Sequence, residues 1–271
     1  MSGIAIVGFL SDENSSFLRG CAEAPPRIRS ALFSEASHLT SETGRDLGAG
    51  STLVDAGDVA LTTGAAARAE IERSVIDLLE RGLSPLSLGG DHSITYPILK
   101  AVAQKFPRLA LLQFDAHPDL YDTYDGNRFS HASPFARIME EGLVSRLVQV
   151  GIRTMNAHQR EQVERFGVEV IEMRVFRDDL VFAFDAPVYV SFDIDALDPA
   201  FAPGVSHLEP GGLSTRQALR IIQSLEGRVV GADVVEYNPR ADSSDLTAVV
   251  CAKLVKELAS KMLDAGRGRS P

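Results

Sequence analysis

Aspartate and histidine residues are concentrated in three short clusters of this sequence. The clusters are GGDHS at 89–93, DAHPD at 115–119 and DIDALDP at 193–199. Side chains two residues apart in an extended chain point the same way, so Asp115, His117 and Asp119 can aim at one point. Asp193 and Asp195 share this spacing. Carboxylates packed this closely raise one another's pKa unless cations lie between them. The spacing therefore indicates a site for divalent cations.

The donor types favour manganese over zinc. Six side chains are the predicted metal ligands: His92, Asp115, His117, Asp119, Asp193 and Asp195. This set has too many donors for one tetrahedral zinc ion and too many oxygens for a structural zinc site. Imidazole and carboxylate without thiolate favour Mn²⁺ over Mg²⁺, Fe²⁺ or Co²⁺. Two ions about 3.5–4 Å apart, bridged by carboxylates, would use all six ligands. We therefore expect two Mn²⁺ ions per chain.

Each cluster taken alone has a simpler interpretation. An aspartate after a strand is a common helix N-cap, and GGDHS by itself could be only a tight turn with such a cap. All three clusters, however, follow predicted strands and supply complementary ligand types. Taken together, they favour a shared metal site over three unrelated turns.

Short apolar segments alternate with longer segments of helical periodicity along the chain, which is typical of parallel strands covered by helices. The predicted strands are 4–9, 52–55, 83–88, 110–114, 147–151, 168–171, 188–192 and 229–235. The predicted helices are 26–33, 65–81, 93–106, 133–140, 157–165, 215–225 and 247–263. These segments predict an α/β fold with a central, mostly parallel, eight-stranded sheet, in a single domain over residues 1–271. Ligands bind at the carboxyl ends of strands in such sheets, and all three clusters lie there.

The amino-acid composition limits the kinds of molecule that the chain is expected to bind. A formal net charge of −10 disfavours nucleic acid and anionic membranes. The two cysteines, Cys21 and Cys251, are too far apart for a zinc or redox motif. No apolar stretch approaches the roughly 20 residues that span a bilayer. The start of the chain resembles a first strand more than a signal or transit peptide, so a cytoplasmic protein is expected.

The clusters resemble the signature segments of the ureohydrolases, the family of arginases and agmatinases. GGDHS, DAHPD and SFDIDALDP carry the resemblance, which extends to SSFLRGCAEAPPRIRSAL, GNRFSHASPFARIMEEG, DPAFAPGVSHLEPGGLS and GADVVEYNP. It implies a three-layer α/β/α fold and a homo-oligomer, a trimer or a hexamer. It also implies one manganese held by His92, Asp115, Asp119 and Asp193, and another held by His117, Asp115, Asp193 and Asp195.

The chemistry that this resemblance implies is hydrolysis of a guanidino substrate with release of urea. A hydroxide bridging the metals would attack the guanidinium carbon, with Asp119 orienting it. His131 is the candidate that protonates the leaving amine, although it could instead only structure its loop. Glu236 would pair with the guanidinium, and Asn127 would reach the distal end of the substrate.

Three further residues are given lesser roles. His207 could line the mouth of the pocket but is expected to be structural. Asp198 precedes a proline and is expected to fix its loop. Asp91 is expected to orient a metal ligand.

The choice of substrate depends on the loops. The segments around residues 115–142 and 198–214 are most similar to plant-type arginases, which favours L-arginine as the substrate. The alternatives are agmatine and a guanidino acid other than arginine. Arginine adds a carboxylate, so its site should offer donors at the rim, for which Asn127, Arg128, Ser130 and Ser133 are candidates. An inactive metal- or polyamine-binding relative and a zinc deacetylase are further alternatives.

Overall fold

Eight parallel strands form one sheet. A computed structural model describes residues 3–49 and 52–264 of the chain. The strands are β1 Gly3–Phe9, β2 Leu53–Val59, β3 Leu83–Leu88, β4 Ala110–Phe114, β5 Arg146–Ile152, β6 Glu169–Glu172, β7 Val188–Asp193 and β8 Val229–Val235. Their order across the sheet is β2-β1-β3-β8-β7-β4-β5-β6, and each neighbouring pair is parallel. The predicted sheet is therefore confirmed.

Helices cover both faces of this sheet. They are α1 Ala24–Leu32, α2 Gly64–Glu80, α3 Thr95–Lys105, α4 Pro134–Glu140, α5 Ala157–Phe166, α6 Thr215–Ser224 and α7 Leu246–Asp264. Side chains alternate between the faces along each strand. Ile4 and Ile6 of β1 accordingly belong to the core under α1, α6 and α7, whereas Ala5 and Val7 belong to the core under α2, α3 and α4. Two apolar cores separated by the sheet give the predicted three-layer arrangement.

Many element boundaries differ from those expected, most of them by one or two residues, and two of the differences have a clear physical reason. β2 runs to Val59 because it is an edge strand whose polar residues hide its periodicity, and Asp55 and Asp58 pair there with Arg29 of α1. The helix expected from residue 93 begins instead as a 3-10 turn, His92–Ile94, and becomes α-helical at Thr95. No helix in the described parts of the chain is long and apolar enough to cross a membrane.

The strand order brings the three acidic clusters to the middle of one sheet edge. β3 and β7 lie on either side of β8, and β4 is the next strand beyond β7. Parallel strands end at the same edge, so the residues after Leu88, Phe114 and Phe192 meet there. β8 contributes Glu236 to the same place.

Candidate metal centre

Local backbone geometry aims the aspartates and histidines at one another. Asp91 is the N-cap of the turn that carries His92, and its carboxylate accepts from the backbone N–H of Ser93 at 3.1 Å. Asp193 ends β7, and its Oδ1 accepts from the backbone N–H of Asp195 at 2.8 Å. These caps stop each strand and turn the next side chain inward.

The six predicted ligands lie together in two overlapping groups. Nδ1 of His92 lies 3.2 Å from Oδ2 of Asp115, 3.2 Å from Oδ2 of Asp119 and 3.1 Å from Oδ2 of Asp193. Nδ1 of His117 lies 3.1 Å from Oδ2 of Asp195 and 3.5 Å from Oδ1 of Asp115. Asp115 belongs to both groups, as a bridging carboxylate must, whereas Asp193 belongs to the first.

The electrostatics of this cluster fit bound cations. Burial and the charge of Asp115 raise the pKa of Asp119 to about 7. Burial, together with Asp195 and Asp115, raises the pKa of Asp193 well above its ordinary value. Nδ1 of His92 is fully buried among these oxygens yet makes no hydrogen bond to any described residue. Carboxylates that repel one another around an imidazole nitrogen without a hydrogen-bond partner form a donor set that a divalent metal satisfies.

A buried network of hydrogen bonds fixes the imidazole ring of His92. Its Nε2 lies 2.9 Å from Oγ of Ser191, and this hydroxyl donates to Oδ1 of Asp233 at 2.7 Å. Tyr189 and Thr95 both donate to Oδ2 of Asp233 at 3.0 Å. Such partners fix the orientation of a ligating imidazole. Sequence reasoning missed Asp233, whose one signal was an aspartate inside an otherwise apolar strand.

Asp91 does not touch a ligand side chain. Its carboxylate accepts from the backbone N–H of Asn14 at 2.9 Å and from the backbone N–H and hydroxyl of Ser93. It therefore joins the N-terminal loop to the turn that carries His92. Gln113 of β4, by contrast, does contact a ligand side chain, because its Nε2 donates to Oδ2 of Asp115 at 2.7 Å.

His131 and Glu236 form a buried pair beside the cluster. Nδ1 of His131 lies 2.9 Å from Oε1 of Glu236, which also accepts from the backbone N–H of His92 at 2.8 Å. Burial disfavours both charges, but each charge stabilises the other, so the pKa of His131 rises to about 9 and the pKa of Glu236 falls. Glu236 and Asp119 also have positive φ angles of 63° and 51°. Strained backbone of this kind is concentrated at functional sites.

A cavity of about 470 Å³ opens onto these groups. We group the residues that line it by chemistry: the acidic and histidine residues form what we name the inner wall, and the other polar residues form what we name the rim. The inner wall consists of His117, Asp119, Asp193, Asp195, His131, Glu236 and His207, and the rim includes Ser16, Tyr121, Tyr124, Thr154, Asn156 and Gln159. His207 thus lines the pocket, which was the less favoured of the two positions considered for it, since a structural role was expected. The acidic inner wall suits a cationic substrate.

Asn127 does not line this cavity. Its Nδ2 donates to Oδ1 of Asn14 and its Oδ1 accepts from the backbone N–H of Phe129, both at 2.9 Å, so its amide is used in holding the loop. Arg128, Ser130 and Ser133 are also absent from the cavity wall. The rim groups come instead from residues 121–124 and 154–159, because the irregular segment after β4 folds with its tyrosines toward the metal cluster.

Asp198 organises the loop after β7. Its carboxylate accepts from the backbone N–H groups of Ala200 at 2.9 Å, Gly211 at 2.7 Å and Gly212 at 3.2 Å. These bonds lower its pKa. The structure thus places Asp198 in the loop-fixing position that was predicted for it.

Comparison with known proteins gives a consistent result. The sequence profile of the Arginase family matches residues 2–260. The chain is 48% identical to Arginase 1, mitochondrial, of Arabidopsis thaliana, over 95% of this chain and 80% of that protein. It is 36% identical to an agmatinase of Bacillus anthracis, over 95% of this chain and 91% of the other. The solved structure of an arginase from Medicago truncatula superposes with a TM-score of 0.92 at 46% identity, covering 96% and 87% of the two chains.

The expected cytoplasmic location is wrong by the same comparison. Several of the plant arginases that match are named mitochondrial, and one chloroplastic/mitochondrial. The expectation depended chiefly on the first residues of the chain. A strand that begins there says nothing about the compartment.

Proposed function

The chain belongs to the arginase family, whose members are hydrolases of guanidino substrates, and from this premise we propose that it hydrolyses L-arginine to L-ornithine and urea. One observation carries the proposal: the side chains of six aspartates and histidines converge, four of them in the wall of a cavity, in a chain 48% identical to a plant arginase. We also propose that the chain is a single domain and assembles as a homo-oligomer, a trimer or a hexamer.

The metal centre of this proposal holds two manganese ions. His92, Asp115, Asp119 and Asp193 would hold one ion, and His117, Asp115 and Asp195 the other, with Asp193 of the first group proposed as a further ligand of the second ion. When bound, the cations would supply Lewis-acid stabilisation and lower the pKa of water to near neutrality. The absence of thiolate from both groups supports manganese over zinc.

The chain's own residues would then bind the substrate and move protons. Glu236 is anionic at neutral pH because its pKa is lowered, and its carboxylate suits the planar guanidinium. Asp119 would orient the attacking water through a hydrogen bond. His131 carries a proton at neutral pH, since its pKa is about 9, and would protonate the leaving amine.

The cavity rim supports arginine over agmatine. Helix α5 begins at the rim, with its N-cap Asn156 in the cavity wall. The positive end of a helix dipole favours a carboxylate, which arginine has and agmatine lacks. Hydroxyl groups of Tyr121, Tyr124 and Thr154 add donors nearby. The lower identity to the agmatinase agrees with this choice.

A product assay tests the proposal. Purified protein loaded with Mn²⁺ is given arginine, agmatine or 4-guanidinobutyrate, and urea and the amine product are measured together. We expect kcat/KM for arginine to exceed that for agmatine by about a hundredfold, because a carboxylate binding partner is worth about 2–3 kcal/mol. A higher kcat/KM for agmatine would make the chain an agmatinase. Metal analysis giving one zinc per chain would exclude the two-manganese centre.

Gln159 is a rim residue whose side-chain oxygen lacks a hydrogen-bond partner among the described residues. Its side chain is only 4% exposed and lines the cavity. An amide oxygen there would accept from the ammonium group of arginine. We expect Gln159→Leu to raise KM for arginine about tenfold with kcat nearly unchanged, because the lost contact is equal in ground and transition states.

Gln162→Leu is the matched control for this change. Gln162 is equally buried one turn later in α5, but it lies outside the cavity wall and accepts from Arg165. The KM of the Gln162→Leu variant for arginine should stay near the wild-type value. An unchanged KM for Gln159→Leu would remove Gln159 from the substrate site.

A further inference from the structure

The hydroxyl of Ser16 contacts the imidazole of His131 at the cavity. Oγ of Ser16 lies 2.8 Å from Nε2 of His131, and the backbone N–H of Ser16 donates to the same nitrogen at 3.2 Å. The other ring nitrogen faces Glu236 at 2.9 Å. His131 is 7% exposed, whereas Ser16 is exposed and lines the cavity. Ser16 therefore stands between the buried ring and the open space.

Backbone and amide contacts hold Ser16 in this place without using its own side chain. The backbone N–H of His131 donates to the carbonyl of Asn14 at 3.2 Å. The backbone N–H of Asn14 donates to Asp91, and its side-chain oxygen accepts from Asn127, both at 2.9 Å. Removing the Ser16 hydroxyl should consequently leave the segment in position.

A hydroxyl can serve both charge states of the imidazole. When the ring is neutral with its proton on Nδ1, facing Glu236, Nε2 accepts from the N–H and the O–H of Ser16. When the ring is cationic, Nε2–H donates to Oγ, which a hydroxyl allows and a backbone N–H does not. Because Nδ1 is hydrogen-bonded to Glu236, the ring exchanges a proton with the cavity through Nε2, and the nearest hydroxyl to Nε2 is Oγ of Ser16.

We propose that Ser16 relays the proton between His131 and the cavity, an inference that rests on the proposed function. As the substrate C–N bond breaks, its electron pair goes to the leaving nitrogen, which takes the proton of Ser16 Oγ. Oγ takes the Nε2 proton of His131 in the same step. One O–H and one N–H bond break and one of each forms, so the ring ends neutral with its remaining proton on Nδ1.

The charges around His131 allow it to start this relay. The carboxylates of Glu236, Asp119 and Asp91 favour the cation, whereas burial and His207 act against it. Among these charges Glu236, 2.9 Å from Nδ1, is the main one that favours the cation. The backbone N–H of Ser16 also points at Nε2 and therefore disfavours the cationic ring. This contact favours transfer of the Nε2 proton to Oγ as Oγ gives its own proton to the leaving nitrogen.

Three variants test the relay by kinetics: Ser16→Ala, Ser16→Thr, and Ser15→Ala as the matched control. We expect Ser16→Ala to lower kcat about 10- to 100-fold with KM within twofold, because general acid catalysis contributes about 10²–10⁴. Ser16→Thr keeps a hydroxyl and should stay within about threefold of wild type. Small buffers such as imidazole should raise kcat of Ser16→Ala in proportion to their concentration. Ser15→Ala should match wild type.

Other outcomes overturn the relay. A kcat of Ser16→Ala within twofold of wild type would show that the proton takes another route. Equal losses in Ser16→Ala and Ser16→Thr, without a response to buffer, would show that Ser16 has a structural role only.

A spectroscopic measurement separates this inference from the proposed function. ¹⁵N NMR of the histidine rings in metal-free protein, recorded above the pKa of His131 and assigned with His131→Asn, should show the neutral ring protonated on Nδ1. Ser16→Ala should shift the Nε2 resonance. A ring protonated on Nε2 would contradict the relay geometry. Wild-type protein that releases no urea from any guanidino compound would instead overturn the proposed function.

Discussion

Replacing Asp193 with asparagine is expected to remove nearly all hydrolytic activity. Asp193 ends β7, is 2% exposed, and lies 3.1 Å from Nδ1 of His92 within the first ligand group. Its loss would weaken a centre that contributes several kcal/mol to transition-state stabilisation, so kcat/KM should fall about a thousandfold or more. Steady-state urea release at saturating Mn²⁺, with bound metal measured on the same sample, checks this.

Thermal unfolding should separate metal binding from folding in this variant. In wild type, Mn²⁺ at about 100 times its Kd should add about 2.7 kcal/mol, which corresponds to roughly 5–10 °C in Tm. The Asp193→Asn variant should lose most of this increase. Without metal it should be at least as stable as wild type, because Asp195 and Asp115 repel the charge of Asp193.

Asp242→Asn provides the control for a buried aspartate outside the centre. Asp242 is 8% exposed and accepts from the backbone N–H groups of Thr247 and Ala248 at the start of α7. That variant should lose stability but keep its response to Mn²⁺. If Asp193→Asn kept both full activity and the full increase in Tm, the proposed centre would be disproved.

Replacing Glu236 with glutamine should produce the second large effect. Glutamine keeps the shape of Glu236 but removes the charge proposed to bind the guanidinium, and loss of one partner of a buried charge pair costs about 2–5 kcal/mol. We expect kcat/KM for arginine to fall about 100- to 1000-fold. The pKa of His131 should also fall, because Glu236 is the main charge that raises it.

A buried glutamate elsewhere tests whether that loss is specific. Glu257 of α7 is 2% exposed and pairs with Lys253 at a distance from the cavity wall. Glu257→Gln should lower Tm and leave kcat/KM near wild type. Titration of His131 by NMR in both variants completes the comparison. A wild-type kcat/KM for the Glu236→Gln variant would show that Glu236 does not bind the guanidinium.

The sequence predicted the strands and the metal cluster because both are encoded locally. Apolar runs of four to eight residues, bounded by turn residues, indicate buried strands. Aspartates and histidines at alternate positions after such runs must point together, and parallel strands must end at one edge. His92, Asp115 and Asp193 could therefore be assigned to one site before their distances were known, and the structure places Nδ1 of His92 within 3.2 Å of a carboxylate oxygen of each aspartate.

Irregular segments were predicted less well, because their paths depend on contacts with distant parts of the chain. Asn127 was expected at the substrate, but a hydrogen bond to Asn14, 113 residues away, holds it in the loop. Gln159 was not considered, because nothing in its own helix shows that the start of α5 borders the cavity. Asp233 looked like an ordinary strand residue until Ser191 was seen beside it.

Local pattern thus determined the fold class, the strands and the six predicted ligands. The tertiary structure alone decided that β8 lies between β3 and β7, that His131 pairs with Glu236, and that Ser16 reaches Nε2 of His131 from 115 residues away. Side-chain periodicity is set by covalent geometry and can be read from neighbouring residues. Strand order and loop contacts instead depend on which distant surfaces pack most favourably, a choice made only when the whole chain folds.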